Sequence, residues 1–338
     1  MNNQRAAVIG AGSWGTALAL LLAEKGVGVR LWGHRPEHVS VLKQERENRA
    51  YLPGFSFPPA LQPTESLAEA VADAEVICMV VPSHAYRRVF SQVIAVAPPR
   101  TIFVSATKGI ENQSLHTMTQ VMQDCLSAID ASPPPLAVLS GPSFAKEVAQ
   151  KVPTAITIGC AQEDTAQFLQ NLFSTDYFRV YTSSDIVGLE ISAALKNIIA
   201  IAAGICDGLE FGTNARAALI TRGLAEMTRL GVMLGARQET FFGLSGLGDL
   251  VLTCTGALSR NRHVGVELGR GTSLDAILDS MNMVAEGIKT THSVYDLVNK
   301  LGADMPILEQ VYEVLYRGKA CSTAVKDLLS RDLKPEND

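Results

Sequence analysis

Residues 193–214 read AALKNIIAIAAGICDGLEFGTN, placing Lys196 and Asn197 among apolar and small neighbours. Taking an ammonium out of water is costly unless it is paired or its pKa falls. A buried lysine beside a cleft is therefore a candidate proton donor, its pKa drawn from about 10.4 toward neutrality. The competing reading is an edge lysine whose stem is buried while its head reaches water. Farther along, residues 243–249 read GLSGLGD, and Asp249 is a candidate partner for Lys196 or for a substrate hydroxyl. Ser259, Arg260, Asn261 and Arg262 form a dense run of donors suited to a phosphate, or else a solvated turn. Lys108 stands between an apolar run and Gly109, where a cation faces a ligand if it is not a surface charge. Residues 141–148, GPSFAKEV, bring backbone close at Gly141 and place Ser143 as a helix cap, a plain turn being the alternative. Glu286 precedes Gly287 and reads as an acid before a turn, with no role assigned by physics alone.

A second set of residues would hold a cofactor. Gly10-Ala11-Gly12-Ser13-Trp14-Gly15 follows an apolar run and opens a helical one. Gly10 permits a tight turn, Gly12 lets backbone approach a pyrophosphate, and Gly15 allows close helix–sheet packing. The helix N-terminus adds N–H groups and positive potential. The second strand of such a unit ends on an acid when it binds a ribose 2′-hydroxyl. Here residues 28–36 hold none, and Gly33-His34-Arg35 stands there instead. A guanidinium beside an imidazole suits a 2′-phosphate, so NADP(H) is the expected cofactor, with NAD(H) as a second. The alternative is that Arg35 is a solvated charge.

These residues need elements to position them. Strand-like runs occur at 6–9, 28–32, 74–81, 101–105, 136–140, 154–159 and 178–181, with helical stretches such as 16–25 and 67–71 between them. Ser66 with Glu69 forms a capping box for the latter. Strand–helix alternation with apolar strands implies a parallel sheet covered on both faces. After residue 184 the strands stop. Residues 186–203, apolar on nearly every side, predict a buried helix. Two more helices are expected over 215–230 and 305–316, the last with Pro306 in its first turn. The expected organisation is a sheet domain over 1–184, a helical domain over 185–330 and a frayed polar tail over 331–338.

Composition limits the function classes. The 338 residues are 47% hydrophobic and 19% charged, and 29 Lys+Arg against 34 Asp+Glu leave a net charge of −5. That is an ordinary globular balance, with no basic field for nucleic acid. The opening MNNQRAAVIG lacks a signal-peptide pattern, and the most apolar stretch carries Glu190 and Lys196. A cytoplasmic protein without stable membrane insertion is expected. The six cysteines are widely spaced and read as packing residues. His34 and His38 flank Pro36, which argues against a helical metal pair, so no metal is expected.

GAGSWGTALA, SATKGI, LSGPSFAKEV, LKNIIAIAAGICDGLEFGTNARAALITRGL, GLSGLGDL and SRNRHVG occur in an order that resembles the bacterial-type NAD(P)-dependent glycerol-3-phosphate dehydrogenases, over roughly residues 5–330. Ala193 departs from the family motif, which usually opens with glycine. The resemblance implies a Rossmann-like sheet domain, a helical domain like that of 6-phosphogluconate dehydrogenases, and a homodimer. It implies reversible reduction of dihydroxyacetone phosphate to sn-glycerol 3-phosphate, supplying glycerophospholipid synthesis. Carried over by position, Lys196 is the catalytic group. Lys108, Gly141, Ser143, Lys196, Asp249, Ser259, Arg260 and Asn261 bind substrate. Ser13, Trp14, His34, Arg35, Lys108, Ala145, Arg260, Val284 and Glu286 join Gly10, Gly12 and Gly15 at the cofactor. Two other readings compete. A related two-domain dehydrogenase acting on a 3-hydroxy acid would need no phosphate cluster, and an NADPH-binding redox sensor would leave Lys196, Asp249 and Arg260 unexplained.

Overall fold

The computed structural model describes residues 4–129, 134–281, 285–333 and 335–336. The first half alternates strands and helices: β1 (Arg5–Ile9), α1 (Ser13–Glu24), β2 (Gly28–Trp32), α2 (Pro36–Glu45), β3 (Glu47–Asn48), β4 (Leu52–Ser56), β5 (Leu61–Thr64), α3 (Leu67–Val71), β6 (Val76–Met79), α4 (Tyr86–Ile94), β7 (Ile102–Ser105), α5 (Met118–Ser127), β8 (Leu136–Ser140), α6 (Ala145–Ala149), β9 (Thr154–Cys160), α7 (Glu163–Phe173) and β10 (Phe178–Ser183). The second half is helical: α8 (Ile186–Gly208), α9 (Gly212–Met233), α10 (Gln238–Phe241), α11 (Asp249–Thr255), α12 (Arg260–Gly269), α13 (Leu274–Ser280), α14 (Glu286–Leu301), α15 (Pro306–Arg317) and α16 (Cys321–Leu329).

The main sheet runs in the order β10-β9-β8-β7-β6-β1-β2-β5. Successive strand residues point to opposite faces. Ala6 and Val8 of β1 thus join an apolar cluster with Leu18, Leu21 and Leu22 of α1, while Ala7 and Ile9 pack with Phe90 of α4 and Val121 of α5. Helices on both faces make this a Rossmann-like, doubly wound domain. It departs from the parallel expectation at one pair: β9 runs antiparallel to β8. The chain reverses at the carboxyl edge of β8, where Gly141 has φ +141° and lies so close to Ile156 that a Cβ would sit 2.9 Å from its Cα. Three elements go beyond the expected strands. β5 adds an edge beside β2, and β3 with β4 forms a small antiparallel hairpin. Pro53, Gly54 and Pro63 hide these in the sequence, since proline is tolerated at edges.

Ser66 Oγ accepts from Glu69 N, but the Glu69 carboxylate takes Thr64 Oγ1 and Arg30 rather than closing a capping box. The expected run 74–81 contracts to the four residues of β6. Residues 186–203 and 215–230 lengthen into the 23-residue α8 and the 22-residue α9. Near the C-terminus Arg331 donates to Asp304, and Arg222 donates to Glu336 O.

α8 is buried from Gly188 to Cys206 and forms the axis of the helical half. α12 packs on it backbone to backbone. A Cβ at Gly204 would lie 2.1 Å from Arg262 O, and one at Gly265 would lie 2.0 Å from Ile201 O. Gly208 and Gly269 continue the same contact. Beside it, Arg262 places Nε 2.8 Å and Nη2 2.7 Å from Asp207 Oδ2, so that arginine is drawn out of the expected phosphate-binding run.

Candidate active site

Lys196 lies midway along α8 and is 5% exposed. Its Nζ donates to Asp249 Oδ1 at 2.8 Å and to Thr253 Oγ1 at 2.7 Å. The other Asp249 oxygen accepts from Lys108 Nζ at 2.7 Å, and Lys108 also reaches Gly141 O at 3.2 Å. One buried carboxylate thus bridges a lysine of the helical half and a lysine from the loop after β7. Burial pulls Lys196 down to about 8; the Asp249 carboxylate opposes this and the Lys108 charge adds to it. Burial alone would raise the Asp249 carboxyl, but the two ammonium groups hold it below the usual aspartate range. An amine that titrates near neutrality can give and take a proton.

Around this centre the expected substrate residues gather unequally. Ser143 Oγ donates to Gly141 O at 3.1 Å, and α6 starts after Phe144 with no side-chain cap, so Ser143 is not the expected helix cap. Residues 244–248 form one π-helical turn that delivers Asp249 to the start of α11. Ser259 caps α12 by accepting from Arg262 N. Asn261 donates to Asn197 Oδ1 and accepts from Gly287 N, both at 2.9 Å, which ties α12 to α8 and α14. Arg260 is solvent-exposed, and no hydrogen bond joins it to the others among the described residues. Glu286 begins α14 rather than preceding a turn. It accepts from Ser83 Oγ at 2.7 Å; burial raises its carboxyl above the ordinary range, against the pull of Ser83 and Arg260.

The glycine turn fits a dinucleotide. Gly10 has φ +126°, and a Cβ there would strike Val80 O at 2.5 Å. A Cβ on Gly12 would meet nothing within 4 Å, which leaves open space beside the backbone at the N-terminus of α1. The first turn of α1 carries no acid, and Trp14 Nε1 is buried without a hydrogen-bond partner among the described residues. Both features favour an anionic, hydrogen-bonding ligand there. Gly15 packs on the turn itself, a Cβ lying 1.9 Å from Gly10 O. Beyond β2, His34 and Arg35 are exposed; desolvation, helped by the Arg35 charge, keeps the His34 imidazole below its usual pKa. Ala145 opens α6, and Val284 lies outside the described residues.

Three residues were not singled out from the sequence. Thr253 lies four positions after Asp249, a helical spacing that could have exposed it. Asn48 and Tyr51 belong to the hairpin. Asn48 Nδ2 reaches Ala11 O, and Tyr51 takes Ser13 Oγ on its carbonyl at 2.8 Å and the Arg35 guanidinium on its hydroxyl.

Residues 5–166 match the family model described as NAD-dependent glycerol-3-phosphate dehydrogenase N-terminus, and residues 185–326 match that of its C-terminus. Among curated proteins, the glycerol-3-phosphate dehydrogenase [NAD(P)+] of Desulfotalea psychrophila is 62% identical over 331 residues, covering 98% of each chain. That of Citrifermentans bemidjiense is 54% identical over 337 residues, 98% of this chain and 99% of its own. Among solved structures, the glycerol-3-phosphate dehydrogenase of Coxiella burnetii superimposes with a TM-score of 0.94 at 40% identity, over 97% of this chain and 99% of that one.

Proposed function

The chain belongs to the NAD-dependent glycerol-3-phosphate dehydrogenase family and is an NAD(P)-dependent oxidoreductase; from that premise we propose that Lys196 and the residues around it reversibly reduce dihydroxyacetone phosphate to sn-glycerol 3-phosphate. The observation that carries the proposal is the Lys108–Asp249–Lys196 chain of hydrogen bonds across the two halves of the molecule. The 3-hydroxy-acid reading is not retained, given the names and identities of these relatives.

When bound, the nicotinamide supplies the hydride chemistry. Gly10, Gly12, Gly15, Ser13 and Trp14 hold the pyrophosphate end, and His34 with Arg35 takes a 2′-phosphate. Lys108, Ala145, Arg260, Val284 and Glu286 complete the cofactor contacts. Ser259, Arg260 and Asn261 hold the substrate phosphate, while Lys108, Gly141 and Ser143 line its other end. Fixing the ketone in this way lowers the barrier by avoiding an entropic search. Lys196 stabilises the developing alkoxide and gives it a proton; in the reverse direction the neutral amine takes the hydroxyl proton. Asp249 and Thr253 aim that amine.

We further assign the sheet domain to residues 1–184 and the helical domain to residues 185–330, a homodimeric state and a cytoplasmic location without membrane insertion. The product then supplies glycerophospholipid synthesis. Helix α8 is long and apolar enough to span a bilayer, yet 89% of its most apolar window is buried inside the molecule, which supports a core role. The deciding assay follows NADPH absorbance with dihydroxyacetone phosphate, repeated with NADH and with 3-hydroxy acids under NADP+. Turnover of the phosphorylated ketone alone is expected. No turnover with either nicotinamide, or faster turnover of a 3-hydroxy acid, overturns the reading.

A further inference from the structure

We propose that Asn48 is a positioning residue for cofactor binding, turning the Ala11–Gly12 peptide so that the Gly12 N–H faces the crevice of the glycine turn. The inference rests on the cofactor reading above.

Asn48 is fully buried, although it sits in a hairpin otherwise half open to solvent. Its Nδ2 donates to Ala11 O at 3.0 Å and to Thr16 Oγ1 at 2.8 Å, and its Oδ1 faces His38 Nε2 at 3.1 Å. Both amide hydrogens and one acceptor site are engaged, so the side chain has no second orientation that keeps its partners satisfied. In a trans peptide the carbonyl oxygen and the following N–H point opposite ways. Holding Ala11 O toward the hairpin therefore directs the Gly12 N–H away from it. Of the three glycines of the turn, Gly12 is the one beside which an added Cβ would meet open space. The bond to Thr16, itself fully buried, fixes the first turn of α1 to the same anchor.

The hairpin is held firmly enough for this task. Arg46, in the left-handed region at φ 54°, turns the chain out of α2, and its guanidinium binds Pro58 O and Leu61 O at 2.8 Å each. That closes the loop around the hairpin at its base. At the tip, the Tyr51 ring meets His38 edge-on at 5.2 Å. The anchor acts on the pyrophosphate end, which NADPH and NADH share. Its signature is an equal effect on both cofactors, unlike a contact to the 2′-phosphate.

The test uses the full chain and reads equilibrium binding by nicotinamide fluorescence, along with melting of the cofactor-free protein. Asn48→Ala is expected to raise the Kd of NADPH and NADH alike, by about three- to tenfold, the worth of one or two hydrogen bonds. At saturating cofactor, kcat and the KM for dihydroxyacetone phosphate stay within about twofold if the role is positioning. Asn48→Asp keeps the shape and the acceptor but lacks the amide hydrogens; it gives the same equal weakening and decides the matter if the alanine variant does not fold. Thr16→Val, which spares the Ala11 bond, weakens binding less than either. Gly12→Val places a side chain in the open space and serves as the control on the cofactor site. Unchanged Kd values in Asn48→Ala or Asn48→Asp, with Gly12→Val weakened, overturn the inference alone. Unchanged binding in Gly12→Val overturns the cofactor reading beneath it. A loss confined to NADPH also overturns the inference.

Discussion

Two ammonium groups share one buried carboxylate where the sheet half meets the helical half, so Lys108, Lys196 and Asp249 together carry a single excess positive charge. That excess suits a ketone that bears a phosphate and gains negative charge on its oxygen as it is reduced. Lys196→Met is expected to cut kcat by at least about a hundredfold, the low end for losing a general acid, with NADPH Kd nearly unchanged. A variant that keeps a tenth of the wild-type kcat removes Lys196 from the chemistry. The pH profile follows from the same group. Reduction needs the protonated amine, so its rate falls as pH rises through about 8; oxidation needs the free amine and rises through the same region. Profiles of kcat in the two directions with the same sign of slope contradict this. Arg35→Ala is expected to raise the NADPH Kd by about tenfold, a charge-assisted contact, and to leave NADH within twofold; fluorescence titration of both checks it. Lys196 was legible in the sequence because an ammonium among apolar residues needs a reason. Asp249 was legible only as a choice between lysine and substrate. Asn48 and Tyr51 were not legible, because their bonds reach back 37 and 38 positions and no local pattern encodes that.

Elements were easier to read than their directions. Apolar runs bounded by turns marked β1, β2, β8 and β10, and hydrophobicity on every face marked α8. Period-two alternation is the same for either strand sense, so the antiparallel β9 left no trace in the pattern. The hairpin was hidden by its polar and proline-containing composition. Glu226 of α9 is 4% exposed and accepts from Ile307 N at 2.9 Å and Leu308 N at 3.4 Å, holding the N-terminus of α15. Burial pushes its carboxyl up to about 7, against the pull of those two N–H groups. Because the folded value lies above the unfolded one, the stability it brings is present in acid and lost as pH rises through about 7. Glu226→Gln keeps the shorter bond without a buried charge. Its melting temperature is expected to exceed that of the wild type above pH 7 and to lose that advantage in acid. A difference between the two proteins that does not change with pH refutes the assignment.

Specific polar contacts join the two halves of the molecule across their seam. Ser83 binds Glu286, Lys108 binds Asp249, and Glu190 of α8 accepts from Thr119 N of α5 at 2.9 Å. Ile110, in the loop beyond β7, is buried in the helical core rather than in the sheet's. The two-part plan was readable from where strands cease; these crossings were not, since each joins residues far apart in the chain. Phe242, Leu247, Val251 and Leu258 are exposed on the helical half. Sedimentation equilibrium is expected to give twice the 36.2 kDa chain mass, and a single-chain mass at micromolar loading removes the dimer from the proposal. The touching backbones of α8 and α12 have a further effect. With no methyl group between Gly204 and Gly265, the gap separating Lys196 from residues 259–261 is gauged by bare main chain. A single added carbon there would act as a shim, pushing the two helices apart without altering Lys196, Asp249 or any residue from 259 to 261.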